Sequence, residues 1–354
     1  MLARLIRSWQ YGTQGADYAQ RFEGARLAYA QGDFGPAEIE FAALAKLRPT
    51  DAEAWLYAGL CAYRQHNAAL ALERFVKARD LDPGNHDYLY QEAAALSVLG
   101  SVEQAKAVCA RLAARAPDYA QVRFLWAALE LPGDDYMAFM RQLHDFLKPA
   151  TYLEIGVFQG RSLALVGPGT LAIGVDPEPR IDTPIPPNAR VVAKTSDDFF
   201  AANDVLAELG GRPLALGFID GMHRFEFALR DFINMERICA ADSTILIHDC
   251  YPLNRASATR DWQAQFWSGD VWRLILILKK YRPKLQVHTL ALAPTGLGMV
   301  RGLDPQSTLL ADRYESIVAE FMEVDYDVLA PDKAGMLNRF PNDWQAILRL
   351  LGKH

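Results

Sequence analysis

The stretch "LALGFIDGMHRFEFALRDF" (214–232) decides the fold class of the second part of the chain. Its first six residues are apolar or small, and this run stops at Asp220. From His223 onwards, apolar residues recur with the spacing of one helix face. A short apolar run followed by a helical period predicts a buried strand that leads into an amphipathic helix.

Runs of the same kind alternate with helical segments through the second part of the chain. The predicted strands are 151–156, 170–176, 190–196, 214–220 and 243–249, followed by an antiparallel pair at the sheet edge, 284–292 and 296–302. The predicted helices are 158–166, 197–209, 223–238 and the strongly apolar 271–281. Strands that alternate with helices predict an α/β domain with a mainly parallel, doubly wound sheet.

Acidic side chains stand at the carboxyl ends of four predicted strands. They are Glu154, Asp176, Asp220 and, beside an imidazole, the pair His248 and Asp249. Sheets of this class bind ligands just outside the carboxyl ends of their strands. We therefore expect these residues to lie on one rim, around one cleft.

Length and composition limit the function classes. A chain of 354 residues suggests about two domains. The hydrophobic share of 51% and the charged share of 23% are ordinary for a globular protein. The net charge of −6, without a dense Lys/Arg tract, gives no support for a nucleic-acid partner. No stretch approaches the roughly 18 apolar residues of a membrane span, so none is expected.

The cysteines and the first residues bear on location. Four cysteines without CxxC spacing predict neither a zinc site nor a disulfide framework, and they favour a reducing, cytoplasmic location. The segment "MLARLIRSWQYG" (1–12) has no apolar core of signal-peptide length. Cys250 could be a thiol nucleophile, but a small buried hydrophobe is favoured because no activating partner is evident.

The first third of the chain carries a 34-residue period. The positions that keep one phase are Pro49, Pro83 and Pro117; Ala37, Ala71 and Ala105; Gly32, His66 and Gly100; Phe41, Phe75 and Cys109; and Leu44, Ala78 and Leu112. Small residues suit places where two helices approach closely. Proline ends a helix because it lacks an N–H and clashes with the preceding turn.

The middle copy, "AEAWLYAGLCAYRQHNAALALERFVKARDLDP" (52–83), resembles the tetratricopeptide pattern, a helix–turn–helix of 34 residues. The matching residues are Trp55, Gly59, Ala71, Phe75, Ala78 and Pro83. A chance alanine-rich bundle is the alternative, and the shared phase of Pro and Ala in three copies argues against it. The resemblance implies about three repeats closed by a capping helix at 118–131. It also implies a concave surface for a peptide or protein partner, while a structural or homo-oligomer-forming role carries equal weight.

Linker-like residues in "ELPGDDY" (130–136) mark the predicted boundary between the two parts. The predicted domains are an N-terminal segment at 1–17, tetratricopeptide repeats at 18–131, the α/β domain at 132–302 and a helical extension at 303–354. Within the extension we expect helices at 307–324 and 342–354 with a loop between them. The extension could cover the cleft, pack on the repeats or form a dimer contact.

The segment "LEIGVFQGRS" (153–162) predicts a cofactor site. Gly156 and Gly160 form a G-x-x-x-G turn, in which glycine lets the backbone pass close to a ligand. Asp176 follows 20 residues after Gly156 and could accept hydrogen bonds from both hydroxyls of a ribose.

The nature of the cofactor follows from two further residues. A dinucleotide site would place a glycine where Phe158 stands, and a pyrophosphate would not favour the nearby Glu154. A nicotinamide-dependent oxidoreductase is therefore disfavoured. S-adenosylmethionine has no phosphate and carries two cationic groups, which would suit Glu154.

The segment resembles the first motif of class I S-adenosylmethionine-dependent methyltransferases, E-x-G-x-x-x-G-x-S. The residues in register are Glu154, Gly156, Gly160 and Ser162. The resemblance implies a Rossmann-like domain that binds the cofactor through these residues and Asp176. Ser196 follows the third predicted strand, where the family usually contacts adenine; a helix N-cap is the alternative.

With "ILIHDCYP" (245–252), "VWRLI" (271–275) and "TGLGMV" (295–300), the opening stretch resembles the bacterial methyltransferase family that includes macrocin-type sugar O-methyltransferases. The resemblance covers about residues 136–302. Related metal-dependent members hold Mg²⁺ with acids that end the fourth and fifth strands, and a histidine three residues after the first acid serves as base. The resemblance implies that Asp220 and Asp249 are metal ligands, with His248 as a neighbouring ligand. It also implies that His223 is the catalytic base, acting beside Asp220.

Two residues depart from this pattern. Met222 replaces an acid, and His248 stands where some metal-dependent relatives carry Glu or Asp. Imidazole is a softer ligand that suits Mn²⁺, Fe²⁺ or Zn²⁺ better than Mg²⁺. In the alternative without metal, His248 and Asp249 end the strand and shape the pocket, and His223 packs over the cofactor.

The sequence thus predicts an α + α/β protein in which helical repeats precede a Rossmann-like class I methyltransferase domain. The predicted reaction is S-adenosylmethionine-dependent methylation of a hydroxyl on a sugar, glycan or small natural product, assisted by Mg²⁺ or another divalent cation. The repeats would recruit a partner or a substrate carrier. The alternative is a tetratricopeptide adaptor whose methyltransferase-like domain is inactive.

Overall fold

The structure, a computed structural model, describes residues 12–262 and 266–352. Most of the predicted N-terminal segment 1–17 therefore lies outside the described residues. Contacts divide the chain into two compact units, one ending at Leu129 and the other beginning at Glu130. No helix of the described part is both long and apolar enough to cross a membrane.

Within the described residues, the first unit is built from paired helices. They are α1 Gly12–Gln31, α2 Phe34–Leu47, α3 Ala52–Arg64, α4 Ala68–Leu81, α5 His86–Val98, α6 Val102–Arg115 and α7 Ala120–Glu130. The second helix of each pair begins at Phe34, Ala68 or Val102, so the pairs repeat at intervals of 34 residues (68 − 34 and 102 − 68). Each of these helices ends two residues before one of the in-phase prolines. The predicted helix–turn–helix repeat is therefore present.

The packing inside each pair explains the in-phase residues. Ala37, Ala71 and Ala105 are buried, and a Cβ on Gly59 would lie 2.6 Å from Cε1 of Phe75. Helices α3 and α4 therefore approach too closely for any side chain at position 59. The turn within each pair contains one residue with positive φ; these are Gly32 (88°), His66 (62°) and Gly100 (72°). Beyond the pairs, α7 buries Val122 in the same apolar cluster as Leu112.

The second unit begins with alternating strands and helices. Its elements up to residue 301 are α8 Tyr136–Leu147, β1 Thr151–Ile155, β2 Leu171–Val175, β3 Ala189–Val192, α9 Ser196–Ala202, α10 Val205–Glu208, β4 Leu214–Ile219, α11 Phe225–Glu236, β5 Cys239–Ile247, α12 Trp272–Tyr281, β6 Gln286–Leu290 and β7 Leu297–Arg301. The remaining elements are α13 Leu309–Asp312, α14 Tyr314–Met322, a 3-10 turn Tyr326–Leu329, α15 Lys333–Met336, β8 Arg339–Phe340 and α16 Trp344–Leu350.

The strands form one sheet in the order β3-β2-β1-β4-β5-β7-β6-β8. The first five strands in this order are parallel, β7 runs antiparallel to both β5 and β6, and β8 pairs parallel with β6. The predicted mainly parallel, Rossmann-like sheet with a late antiparallel pair is therefore present. Its topological switch point lies between β1 and β4, where sheets of this class open a crevice for ligands.

Two predicted helices differ from the structure. Residues 158–166 form only a 3-10 turn, Leu163–Leu165, because Phe158 and Gly160 take left-handed φ values of 44° and 80° that break the helix. The segment 197–209 is split into α9 and α10 by Asn203 and Asp204.

The extension after residue 302 packs on the α/β unit. Ile317, Phe321 and Ile347 are buried in the same apolar clusters as the sheet residues. The hydroxyl of Tyr314 donates a hydrogen bond of 2.9 Å to the carbonyl oxygen of Glu226 in α11. The predicted loop between two helices instead contains a 3-10 turn, a short helix and β8, so part of the extension is an integral piece of the sheet.

Candidate functional site

A cleft of about 1000 Å³ opens at the carboxyl ends of β1, β2 and β4. Its walls include Tyr136, Gly156, Phe158, Ser162, Asp176, Thr195, Ser196, Asp197, Asp220, Met222, His223, Phe227, Asp231, His248, Trp262 and Trp267. Ligand pockets of proteins measure about 300–1,000 Å³, so this cleft has room for a cofactor and a second molecule.

The turn after β1 is tied to the end of β4. Gly156 has a φ of 89°, and a Cβ on this residue would collide with the carbonyl oxygen of Asp220. The amide of Asp220 donates a 2.8 Å hydrogen bond to the carbonyl oxygen of Ile155. Only glycine therefore fits at position 156. The predicted cofactor turn is in direct contact with Asp220, the first acid of the predicted metal site.

Asp176 holds the same turn through its carboxylate. Its Oδ2 accepts hydrogen bonds from the amides of Val157 (3.0 Å) and Phe158 (2.8 Å), and its Oδ1 accepts one from the amide of Glu178 (2.8 Å). A carboxylate offers about four acceptor sites, so about one remains. Asp176 lines the cleft as expected, and an acceptor position of its carboxylate remains beside these three hydrogen bonds.

Glu154 lies behind the cleft wall and is not among the residues that line the cleft. It is fully buried, and its oxygens accept 2.7 Å hydrogen bonds from the hydroxyls of Tyr152 and Ser162. Burial raises the pKa of Glu154 to about 8. The structure therefore does not present the charge that was expected to meet a cationic cofactor, whereas Ser162 does line the cleft.

Ser196 is the first residue of α9 and lines the cleft. The cap of this helix is Thr195, whose hydroxyl accepts a 3.1 Å hydrogen bond from the amide of Asp198. The N-cap alternative for Ser196 is therefore wrong. Burial raises the pKa of Asp231 to about 7, and the nearby hydroxyl of Ser196 opposes this shift; Asp231 is a cleft residue of α11 that no sequence motif indicates.

Two carboxylates and two imidazoles form a cluster where β4 and β5 end. Nδ1 of His248 lies 3.0 Å from Oδ1 of Asp220 and 3.3 Å from Oδ2 of Asp249. Nδ1 of His223 lies 2.9 Å from Oδ2 of Asp249, and its Nε2 lies 3.6 Å from Oδ1 of Asp220. The structure thus brings together all four residues predicted for catalysis and metal binding, which we call the acid–imidazole cluster.

The acid–imidazole cluster has the donor set of a metal site. The ligand atoms of Asp220, His223 and Asp249 all lie within 4.8 Å of one another. Nδ1 of His223 and Oδ2 of Asp249 are buried and close, yet neither has a hydrogen-bond partner of good geometry among the described residues. A cavity of about 10 Å³, close to the size that holds one water, adjoins all members of the cluster. The residues therefore fit a divalent cation with mixed oxygen and nitrogen ligands.

The charged groups of the acid–imidazole cluster shift one another's pKa values. Burial lowers the pKa of His223, but Asp249 and Asp220 outweigh burial and raise it to about 8. The same carboxylates raise the pKa of His248 well above its usual value, again against burial. Burial opposes ionisation of Asp249, yet the two imidazoles hold its pKa below the usual range. The carboxylates therefore favour the protonated, cationic form of both imidazoles.

Backbone conformation at this site is unusual. His223, Asp249 and Phe158 have φ values of 55°, 62° and 44°, in the left-handed region that non-glycine residues rarely adopt. All three stand at the ends of strands around the cleft or one turn beyond them. Such conformations persist only where surrounding structure enforces them, and they concentrate at functional sites.

The segment 266–270 holds His223 from both sides. The indole of Trp267 stacks on the imidazole with ring centroids 5.2 Å apart and an angle of 11°. The amide of Asp270 donates a 3.2 Å hydrogen bond to the carbonyl oxygen of His223. A Cβ on Gly269 would collide with that same oxygen. These residues were not predictable, because no periodic or motif signal links them to His223 across more than 40 positions.

His248 is enclosed from the other side. The ring of Tyr136 lies 4.2 Å from the imidazole, and Oγ1 of Thr295 lies 3.5 Å from its Nε2. Neither contact was predicted, since both partners come from elements distant in sequence. Cys250 is fully buried, and burial raises the pKa of its thiol, in keeping with the expected small hydrophobic role.

Residues 153–250 match a family model described as a methyltransferase domain. The matched range contains the glycine turn, Asp176 and the acid–imidazole cluster. The description names neither a methyl acceptor nor the macrocin-type family. No curated protein matches the chain.

Solved structures similar to the chain include the Yersinia enterocolitica type III secretion chaperone SycD in complex with a peptide of the translocator YopD, at 19% identity and a TM-score of 0.31, covering 32% of this chain and 91% of that one. MamA is 20% identical with a TM-score of 0.29, covering 30% and 61%. PcrH in complex with the chaperone binding region of PopD is 21% identical with a TM-score of 0.30, covering 34% and 90%.

The 34-residue spacing within this chain identifies its own repeats as tetratricopeptide-like, and a methyltransferase domain is indicated in the unit that follows them.

Proposed function

We propose that the chain transfers a methyl group from S-adenosylmethionine to a hydroxyl of a sugar, glycan or small natural product. One observation carries this proposal. The glycine turn after β1 and the acid–imidazole cluster after β4 and β5 open on the same cleft. A methyl donor held at the turn and an acceptor held at the cluster would meet inside this cleft, which gives the proximity that group transfer needs.

The cofactor site is proposed from the shape and charge of the cleft. Gly156 lets a ligand approach the backbone, and Asp176 keeps an acceptor position for a ribose hydroxyl. Asp197, Asp220 and Asp231 also line the cleft. Acidic walls suit the ammonium and sulfonium groups of S-adenosylmethionine. We therefore assign the attraction of the cationic cofactor to these side chains and not to Glu154.

Proton removal is assigned to His223. Its side chain is 27% exposed, whereas that of His248 is 10% exposed. With Asp249 beside Nδ1, Nε2 of His223 is the nitrogen that takes the proton of the acceptor hydroxyl. S-adenosylmethionine, when bound, would supply the methyl group: the hydroxyl oxygen would attack the sulfonium methyl, and the electron pair of the broken carbon–sulfur bond would go to sulfur, giving S-adenosylhomocysteine.

A divalent cation is proposed at Asp220 and Asp249, with His248 as the nitrogen ligand. A bound ion would lower the pKa of the acceptor hydroxyl and orient it. Metal ligands must be deprotonated, and one divalent ion replaces two imidazole protons without changing the net charge of the cluster. The mixed ligands suit Mn²⁺, Fe²⁺ or Zn²⁺ as well as Mg²⁺.

Titration calorimetry of the full chain with S-adenosylmethionine and S-adenosylhomocysteine tests the cofactor. We expect micromolar binding of both, and an absence of heat at millimolar ligand would rule out the proposed function. For the metal, we expect His248→Gln to lose bound Mn²⁺ at equilibrium dialysis while His223→Gln retains it. The reverse result would exchange the roles of the two imidazoles.

The acceptor can be found by incubating the protein with methyl-labelled S-adenosylmethionine and small-molecule extracts. Mass spectrometry should show label on a hydroxylated ring compound, and His223→Gln should abolish it. Label on nitrogen or carbon would contradict O-methylation.

For the first unit we propose the recruitment of a protein or peptide partner, or of a substrate carrier. Its surface exposes large apolar side chains, including Leu27, Ile39, Leu47 and Val98. The four cysteines are free and buried, which supports a proposed reducing, cytoplasmic location. An adaptor function alone would be indicated if Asp220→Asn left the cellular phenotype intact while repeat-surface substitutions abolished it.

A further inference from the structure

The C-terminal extension reaches the segment that holds His223 through one arginine. Arg273, in the first turn of α12, donates a 2.7 Å hydrogen bond from Nη2 to the carbonyl oxygen of Val324, which lies between α14 and the 3-10 turn. Nη1 of the same side chain donates a 2.8 Å hydrogen bond to Oδ2 of Asp270. One guanidinium therefore joins the backbone of the extension to a carboxylate of the segment 266–270.

Asp270 in turn contacts the site at two points. Its side chain is 1% exposed, and its Oδ1 accepts a 2.9 Å hydrogen bond from the amide of Phe225, the first residue of α11. Its own amide donates a 3.2 Å hydrogen bond to the carbonyl oxygen of His223. A buried carboxylate is costly unless it is paired with a cation and fully hydrogen-bonded. The position of Asp270, and with it the backbone of His223, therefore depends on the arginines that pair with this carboxylate.

Two arginines share Asp270 unequally. Nη1 of Arg260 lies 3.1 Å from Oδ2, but both terminal nitrogens of Arg260 also bond to Glu226, and its side chain is 30% exposed. The side chain of Arg273 is 13% exposed, and its guanidinium lies over the ring of Phe225, 5.3 Å from the centroid. Solvent screens a buried ion pair less than an exposed one. Arg273 is therefore the stronger partner of Asp270.

A second contact fixes the extension at the same place. The ring of Tyr326 meets that of Trp272 edge to face, with centroids 6.1 Å apart and an angle of 87°. Aromatic pairs of this geometry are favourable beyond the area that they bury. Tyr326 follows Val324 by two residues, and Trp272 directly precedes Arg273. The extension is therefore held against the same turn of α12 that carries the guanidinium.

We infer that Arg273 is a positioning residue, which transmits the placement of the C-terminal extension through Asp270 to the imidazole of His223. None of the described residues after 302 lines the cleft, so the extension acts on the site without covering it. The importance of His223 for methyl transfer rests on the proposed function. Its placement does not, and the experiment measures the placement directly.

Carbethoxylation of the full chain by diethyl pyrocarbonate, mapped by mass spectrometry, measures how freely the imidazole of His223 reacts. Arg273→Gln should raise the rate at His223 by roughly twofold to thirtyfold, the range found for residues in coupled networks. Arg273→Lys should also raise it, because its compact ammonium lacks the planar fork that spans Asp270 and Val324. Wild-type protection of His223 in the lysine variant would overturn the inference, since charge beside Asp270 would then suffice.

Arg301→Gln is the matched control. Arg301 also donates to the extension, from Nη1 to the carbonyl oxygen of Leu350 at 2.6 Å, and its Nη2 bonds to the carbonyl oxygen of Asp242 in β5 at 3.2 Å. Its Nε, like that of Arg273, is buried without a partner in the described part of the chain. This variant should leave the rate at His223 unchanged. An equal rise at the buried His144 in Arg273→Gln would show general loosening and overturn the positioning role.

Tyr326→Ala disturbs the extension alone. It should raise the rate at His223 in the wild-type background and add nothing in Arg273→Gln, because both residues act through one chain of contacts. Independent, multiplying increases would contradict the inference. Titration calorimetry with S-adenosylhomocysteine should give the wild-type affinity for every variant. Failure of the wild type to bind this ligand would refute the proposed cofactor, while the carbethoxylation rates would still decide the role of Arg273.

Discussion

Non-glycine residues with positive φ occur in both units, but in different structural surroundings. In the α/β unit three of them, Phe158, His223 and Asp249, lie around the cleft, and the last two belong to the acid–imidazole cluster. In the first unit His66 has the same conformation at a turn where the other repeats place Gly32 and Gly100. Glycine is the residue that such a turn prefers, because it adopts a positive φ without steric cost.

We expect His66→Gly to stabilise the first unit by about 0.5–1 kcal/mol. The gain from relieving the left-handed backbone exceeds the entropy that glycine adds to the unfolded chain. Urea unfolding followed through hydrogen exchange of α3 and α4 measures it. His66→Ala should bring no gain, and a gain equal to that of the glycine variant would contradict this explanation.

His144 of α8 should make the α/β unit sensitive to acid. It is 3% exposed, neither ring nitrogen has a hydrogen-bond partner in the part of the chain that the structure describes, and burial lowers its pKa to about 4. The unfolded chain therefore takes up a proton near pH 6.5 that the folded chain refuses until about pH 4. The resulting stability is present above the unfolded pKa and is lost as the pH falls.

Replacing His144 by Phe isolates this effect. Between pH 7 and 5 the wild type should lose about 2 kcal/mol more stability than His144→Phe, measured by urea unfolding with hydrogen exchange of β1 as the readout. Parallel pH dependences for the two proteins would show that His144 does not titrate as described.

The sequence predicted the positions of polar residues better than their orientations. Asp176, Asp220, His248 and Asp249 were expected at strand ends because the apolar runs stop there. The inward turn of Glu154 was not predictable, because its partners are set by packing and not by spacing.

At the scale of elements, the segment 266–270 supports the acid–imidazole cluster. It contributes the stacked indole of Trp267, the amide of Asp270 and the close approach of Gly269 to His223. The carboxylate of Asp270 also accepts a 2.9 Å hydrogen bond from the amide of Phe225 at the start of α11. One loop thus fixes both the imidazole and the helix that follows it.

We expect Gly269→Ala to displace His223, because the added methyl group collides with its carbonyl oxygen at a φ of 62°. Selective carbon-13 labelling of histidine should show a shifted or broadened His223 resonance. Bound Mn²⁺, which depends on the neighbouring carboxylates, should also weaken by about tenfold or more.

Gly167→Ala is the matched control. Nothing lies within 4 Å of a Cβ at this position, and it carries no positive φ. Its histidine spectrum and its Mn²⁺ affinity should match those of wild type. An unchanged His223 resonance in Gly269→Ala would show that the loop yields and does not position the imidazole.

Elements with a strong period were predictable and short irregular ones were not. The apolar runs predicted the five parallel strands β1 to β5, and the helical period predicted α11 and α12. Residues 158–166 also looked helical, but two left-handed residues at Phe158 and Gly160 override that propensity. This turn is held by contacts with the segment after β2, including the hydrogen bond from the amide of Phe158 to Asp176, and the local sequence does not reveal them.

At the scale of the whole molecule, two kinds of periodicity account for most of the prediction. A 34-residue interval predicted the paired helices, and alternation of strand and helix predicted the mainly parallel sheet. The structure of the C-terminal extension was only partly predictable, since β8 has two residues and leaves no periodic signal.

This short strand has a consequence for synthesis and folding. Arg339 and Phe340 pair with Thr289 and Leu290 of β6, which otherwise presents open backbone groups along one side. Exposed strand edges recruit strands from other chains and seed aggregation. The residues that cover this edge belong to the last strand to be synthesised. A nascent or truncated chain would therefore expose the edge of β6. Whether such a chain aggregates would depend on how soon those residues are synthesised.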